Sequence, residues 1–86
     1  MSNVIFDEEY DILPGLLLAE RRRAGLSQKA LARRMRRCAS HIHKLETRQT
    51  RIEIVEFCRY IQALDGDPID VLSRFLSRFA CEKKAA

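Results

Sequence analysis

The chain has 86 residues, 47% of them hydrophobic and 33% charged, with a net charge of +4; the length limits it to one small domain, and the balance excludes a disordered polymer. No apolar run nears the roughly 20 residues that a bilayer span requires, and the acidic opening "MSNVIFDEEYD" lacks the basic-then-apolar order of a secretory signal, so the sequence reads as cytoplasmic, without membrane contact. Three irregularly spaced cysteines offer neither a disulfide framework nor a C-x-x-C pair and read as reduced thiols.

In chain order, helical periods recur and strict alternation is absent, so the fold class is all-α. Residues 1 to 10 read as a mobile acidic segment, 11 to 80 as the domain and 81 to 86, "CEKKAA", as a mobile tail. A first helix is predicted from Leu13 to Ala24, with Pro14 in the first turn, Leu13, Leu16 and Leu17 as its apolar stripe, and Gly25 just past its end. Ser27 is placed to cap a second helix, "SQKALARRM", in which Leu31 and Met35 face inward and Ala30 and Ala32 permit close approach. After the link "RRC" a third helix runs from Ala39 to Thr47, with Ala39, Ile42 and Leu45 on one side and both histidines off that stripe.

The fourth helix, Glu53 to Leu64, carries Ile54, Phe57, Cys58, Ile61 and Leu64 at helical spacing and reads as the most buried element. In "DGDP", Asp67 is the expected N-cap, Pro68 the first helical residue and Asp70 a first-turn carboxylate suited to the helix dipole. The fifth helix is expected to end near Ala80. Its apolar positions Ile69, Val71, Leu72, Phe75, Leu76 and Phe79 exceed one narrow stripe, so Leu72, Phe75, Leu76 and Phe79 read as a homodimer interface.

Charge is concentrated. Residues 19 to 51 hold eleven Lys or Arg against two acids, a segment charge of +9, whereas residues 1 to 18 sum to −4 and residues 52 to 86 to −1. Such a block attracts a polyanion, because each neutralised phosphate releases counterions. A metal reading of Cys38, His41 and His43, with Cys58 and Cys81 elsewhere, fails on geometry: positions 41 and 43 of a helix point about 200° apart, so no metal and no cofactor is expected. Catalysis lacks a Gly-rich phosphate loop, a nucleophile with a base, and a carboxylate pair on one face. Cys38 reads as a plain cap position, although a thiol at a helix N-terminus between arginines is acidified.

The segment "RRRAGLSQKALARRMRRCASHIHKLETRQTRIEIVEFCRYIQALDGDP" resembles the Cro and phage-repressor-like, or Xre, family of helix-turn-helix proteins. The matching features are "AGLSQ" opening the second helix, "LA" after it, Met35, and Ile42 and Leu45 followed by Glu46. The resemblance implies a five-helix lambda-repressor-like domain whose second and third helices bind DNA, with Ala39, Ser40 and Lys44 nearest the bases and His43 and Arg37 flanking them. It implies phosphate contacts by Gln28, Arg36, Gln49, Thr50 and Arg51, and an ion pair between Arg21 and Glu46. The chain departs from the family at Arg36 and Arg48, where Gly is usual, at Cys38, where a small cap residue is usual, and at Glu20, where an apolar residue is usual. The implied function is a transcriptional regulator, by default a repressor, binding a palindromic operator of double-stranded DNA as a homodimer. The alternative is an antitoxin-like or accessory module that acts through a protein partner.

Overall fold

The computed structural model describes residues 9–85, and the side chains of residues 10–79. Five helices follow one another: α1 (Glu9–Arg23), α2 (Gln28–Met35), α3 (Ala39–Glu46), α4 (Ile54–Ala63) and α5 (Pro68–Ala85). Among the described residues there is no strand, so the architecture is all-α, and no helix is long and apolar enough to cross a membrane.

The helix starts follow local chemistry. Ser27 Oγ accepts from the amide of Ala30 at 3.0 Å, and Asp67 Oδ1 accepts from that of Ile69 at 3.0 Å, each satisfying a first-turn donor. The ends repeat one device: a residue with left-handed backbone, followed by an amide that bonds the carbonyl five residues back. Gly25 (φ 76°) precedes Leu26 N–H to Arg21 O, Arg36 (φ 59°) precedes Arg37 N–H to Ala32 O, Arg48 (φ 65°) precedes Gln49 N–H to Lys44 O, and Asp65 (φ 62°) precedes Gly66 N–H to Ile61 O. Only the first of these positions holds glycine, so the geometry for which the family uses Gly persists at Arg36 and Arg48 despite their side chains. Arg36→Gly is accordingly expected to stabilise the fold by about 1 kcal/mol, a rise in Tm of roughly 4–8 °C; an unchanged or lower Tm would mean that no strain resides there.

Several boundaries differ from those the sequence predicts. The first helix begins at Glu9 and not Leu13, so Pro14 sits in its second turn, where it denies the Tyr10 carbonyl a bond. Ile12 is thereby brought into the core at 5% exposure, while Leu13 is only half-buried. The fifth helix continues to Ala85, past the expected end near Ala80, since no Gly or Pro follows to stop it. Residues 1–8 of the acidic segment lie outside the described residues.

The core comprises Ile12, Leu16 and Leu17 of α1, Leu31 and Ala32 of α2, Ile42 and Leu45 of α3, Phe57, Tyr60 and Ile61 of α4, and Val71 of α5. Each fully buried large side chain contributes about 1.5–3 kcal/mol. In α4 the buried stripe is Phe57, Tyr60 and Ile61; Ile54, expected inside, is 64% exposed because it opens the helix, and Cys58 is half-buried beside the core. Leu72, Phe75 and Phe79 pack partly against the protein's own core, which leaves Leu76 (51% exposed) and Ile69 (73%) as the outward apolar edge of α5.

Candidate nucleic-acid interface

Beneath the third helix lies one carboxylate that ties four helices together. Glu46, at the end of α3, accepts four hydrogen bonds. On Oε2 these come from Arg21 Nε of α1 at 2.7 Å and the Tyr60 hydroxyl of α4 at 2.5 Å; on Oε1 they come from Arg21 Nη2 at 3.0 Å and Gln28 Nε2 of α2 at 2.9 Å. Arg21 also donates from Nη1 to the Leu26 carbonyl at 2.8 Å, which holds the loop before α2. The Tyr60 oxygen lies 2.9 Å from the Leu17 carbonyl as well, and its single proton favours the charged acceptor.

The network sets the charges of its members. Burial alone would raise the Glu46 carboxyl, but the hydrogen bonds from Arg21, Tyr60 and Gln28 outweigh it and hold the group below the usual carboxylate range. Its bond to Glu46 raises Arg21 further, while burial and the Glu46 charge push the Tyr60 phenol far above its ordinary value. Tyr60 was not among the residues expected to matter, although Phe57, Tyr60, Ile61 and Leu64 form a regular helical stripe.

With Ile42, Leu45 and Glu46 turned inward, the opposite side of α3 presents Ser40, His43 and Lys44, all exposed. Ala39 is half-buried against the core. His41 is directed to α4, where its Nε2 lies 2.9 Å from Glu56 Oε2, and Arg37 Nη2 lies 3.6 Å from Glu56 Oε1. The two histidines therefore diverge, His41 against the protein and His43 into solvent. Such a partly exposed ion pair as Arg37–Glu56 contributes about 0–1 kcal/mol and leaves Arg37 competent to exchange partners.

The three-residue turn Arg36, Arg37 and Cys38 joins α2 to α3. Cys38 occupies the N-cap of α3 with extended backbone, but its side chain makes no capping bond. Its Sγ instead lies 3.1 Å from Ser40 Oγ, and that contact, with the His41 amide, lowers the thiol below its ordinary value. After α3, Gln49 Nε2 donates to Thr47 Oγ1 at 2.9 Å, and Thr50 and Arg51 are exposed. Gln28 keeps one amide hydrogen and its oxygen clear of the Glu46 bond.

Many of the arginines in the basic segment serve the fold. Arg23 pairs with Glu20 at 3.2 Å, Arg34 donates to the Ala63 carbonyl at 2.8 Å, and Arg48 pairs with Asp11. Glu20 also receives Arg74 of α5 at 2.8 Å, which accounts for a charged residue where the family has an apolar one. Among the described residues, the cations of the basic segment left exposed without an intramolecular partner are Arg22, Lys29, Arg33, Arg36, Lys44 and Arg51.

Two short helices joined by a tight turn, the second held by its inner face and bare on its polar, basic outer face, define a helix-turn-helix DNA-binding domain. The sequence matches the family described as "Helix-turn-helix domain" over residues 15–72, and the chain belongs to it. The fold is similar to the solved structure of an XRE-family like protein from Pseudomonas syringae pv. tomato str. DC3000, with a TM-score of 0.80, 32% identity, and coverage of 90% of this chain and 94% of that one. The protein is thus Xre-like. No curated protein matches the sequence significantly.

Proposed function

We propose that the protein is a sequence-specific transcriptional regulator that binds two symmetry-related half-sites as a homodimer and represses by occluding the promoter. The observation that carries this reading is the outer face of α3, where Ser40, His43 and Lys44 are exposed on a helix whose other side is anchored. A major groove admits one α-helix and presents a different edge pattern for each base pair. Lys44 donates to guanine O6 or N7, Ser40 adapts to several edges, and the Ala39 methyl meets a thymine methyl, with His43 and Arg37 flanking. Gln28, Arg36, Gln49, Thr50 and Arg51 hold phosphates on either side and fix register without reading sequence.

The exposed Ile69 and Leu76, continuous with half-buried Leu72, Phe75 and Phe79, support pairing of two copies through α5. Half-sites then lie about one helical turn apart. One observation favours the reading as a module for a protein partner: an open groove of about 780 Å³ between α1, α5 and the loop after α3, lined by Tyr10, Leu13, Pro14, Ile52, Phe75 and Phe79.

Selection of bound duplexes from a random pool at about 150 mM salt tests the proposal. The expected result is a two-fold symmetric consensus bound at least roughly 1000-fold tighter than random DNA. Binding without a consensus would reduce the basic segment to a nonspecific anchor, and absence of binding would leave the protein-partner reading.

A further inference from the structure

Lys29 and Arg33 stand at i and i+4, so they fall within an arc of about 40° on α2, and Arg36 follows just past the helix end at Met35. All three are exposed and lack an intramolecular partner among the described residues. Two contacts orient this arc. Arg34 reaches the Ala63 carbonyl at the end of α4, whereas Gln28 reaches Glu46 on α3. At 100° per residue, Arg34 lies roughly 110° to one side of the inward direction given by Leu31, Ala32 and Met35, and Lys29 and Arg33 lie roughly 110–150° to the other. They therefore occupy the flank of α2 away from α4, with α3 beneath the inward face that Gln28 shares.

This arrangement opposes helix stability. Lys29 is in the first turn, where the helix dipole disfavours a cation, no acid accompanies it there, and Lys29 and Arg33 are like charges four apart. No described residue compensates the three charges, unlike those of Arg21, Arg23, Arg34, Arg37 and Arg48. Resting on the DNA-binding reading, the geometry points to a second phosphate strip: Lys29 and Arg33, continuing from Arg36, grip the sugar–phosphate ridge that borders the groove entered by α3.

The test is the salt dependence of binding by Lys29→Ala/Arg33→Ala, measured on the selected duplex and on a random one. With two phosphate contacts removed, the slope of log K against log salt becomes shallower by about 1.8, so the variant's deficit shrinks about 12-fold between 50 and 200 mM salt. Both duplexes lose affinity about equally, and the Tm without DNA is unchanged or higher. The charge-matched control Arg59→Ala/Arg78→Ala, which removes two exposed cations of α4 and α5, leaves the slope near wild type, and Lys29→Arg/Arg33→Lys restores it. A wild-type slope in the double alanine variant overturns the strip while the DNA-binding reading stands. A loss of affinity as large in the control overturns it too, as a mere effect of net charge. Failure of the unaltered protein to bind any duplex overturns both readings together.

Discussion

Glu46→Ala is expected to destabilise the protein by about 3–5 kcal/mol, because it leaves the Arg21 guanidinium buried without its counter-charge and strips the Tyr60 hydroxyl and the Gln28 amide of an acceptor. Against the roughly 5–15 kcal/mol that hold a domain folded, such a loss brings the protein close to unfolding at ordinary temperature. Urea denaturation of the variant measures it, and a cost under about 1 kcal/mol would refute the view of Glu46 as the tie between helices. Arg21→Met combined with Glu46→Leu is expected to be milder than either single change, since no charge is then stranded. The pH dependence follows from the same residue. Its carboxyl titrates lower in the folded state than in the unfolded chain, so its stabilisation is fully present above the unfolded value of about 4.3 and is lost as the pH falls through the folded value. Thermal melts from pH 7 to pH 3 should fall less steeply in Glu46→Gln than in the unaltered protein.

Lys44→Ala is the complementary case, with an expected loss of about 1–3 kcal/mol in DNA affinity on the preferred site and a relaxed preference at one base pair. Lys44 is exposed and has no partner among the described residues, so stability should stay within about 0.5 kcal/mol. Affinities for a panel of singly substituted duplexes, alongside melts, separate the two effects. Gln28→Ala should behave differently on both counts: it weakens every duplex about equally and, because its Nε2 bonds Glu46 at 2.9 Å, lowers stability by about 1 kcal/mol. A loss for Lys44→Ala that is equal on selected and random DNA would show that the lysine meets a phosphate and not a base.

The outer face of α3 was legible from the sequence because it depends only on the spacing of Ala39, Ile42 and Leu45, a local periodicity. So were Ser27, Gly25 and Asp67, whose roles at helix ends arise within a turn of their own backbone. The distinction between arginines left facing solvent and those that brace the fold was not legible. Arg34 meets Ala63 across 29 positions, Arg48 meets Asp11 across 37 and Arg74 meets Glu20 across 54, and no local pattern encodes those meetings. Tyr60 was missed for a related reason: its ring obeys the helical period, but its value lies in a hydroxyl that reaches 14 positions back to Glu46. Pro14 misled the placement of α1, since a proline in the second turn leaves the same trace in sequence as one in the first.

The third helix keeps what holds it and what it offers to solvent on separate faces, with Ile42, Leu45 and Glu46 on one and Ser40, His43 and Lys44 on the other. Substitution at the three outward positions therefore meets little resistance from folding, whereas substitution at the inward three disturbs the core or the Glu46 network. Under the proposed function, a lineage built on this helix can exchange one operator for another through single substitutions, each step a folded protein, so the regulatory vocabulary evolves while the scaffold stands still.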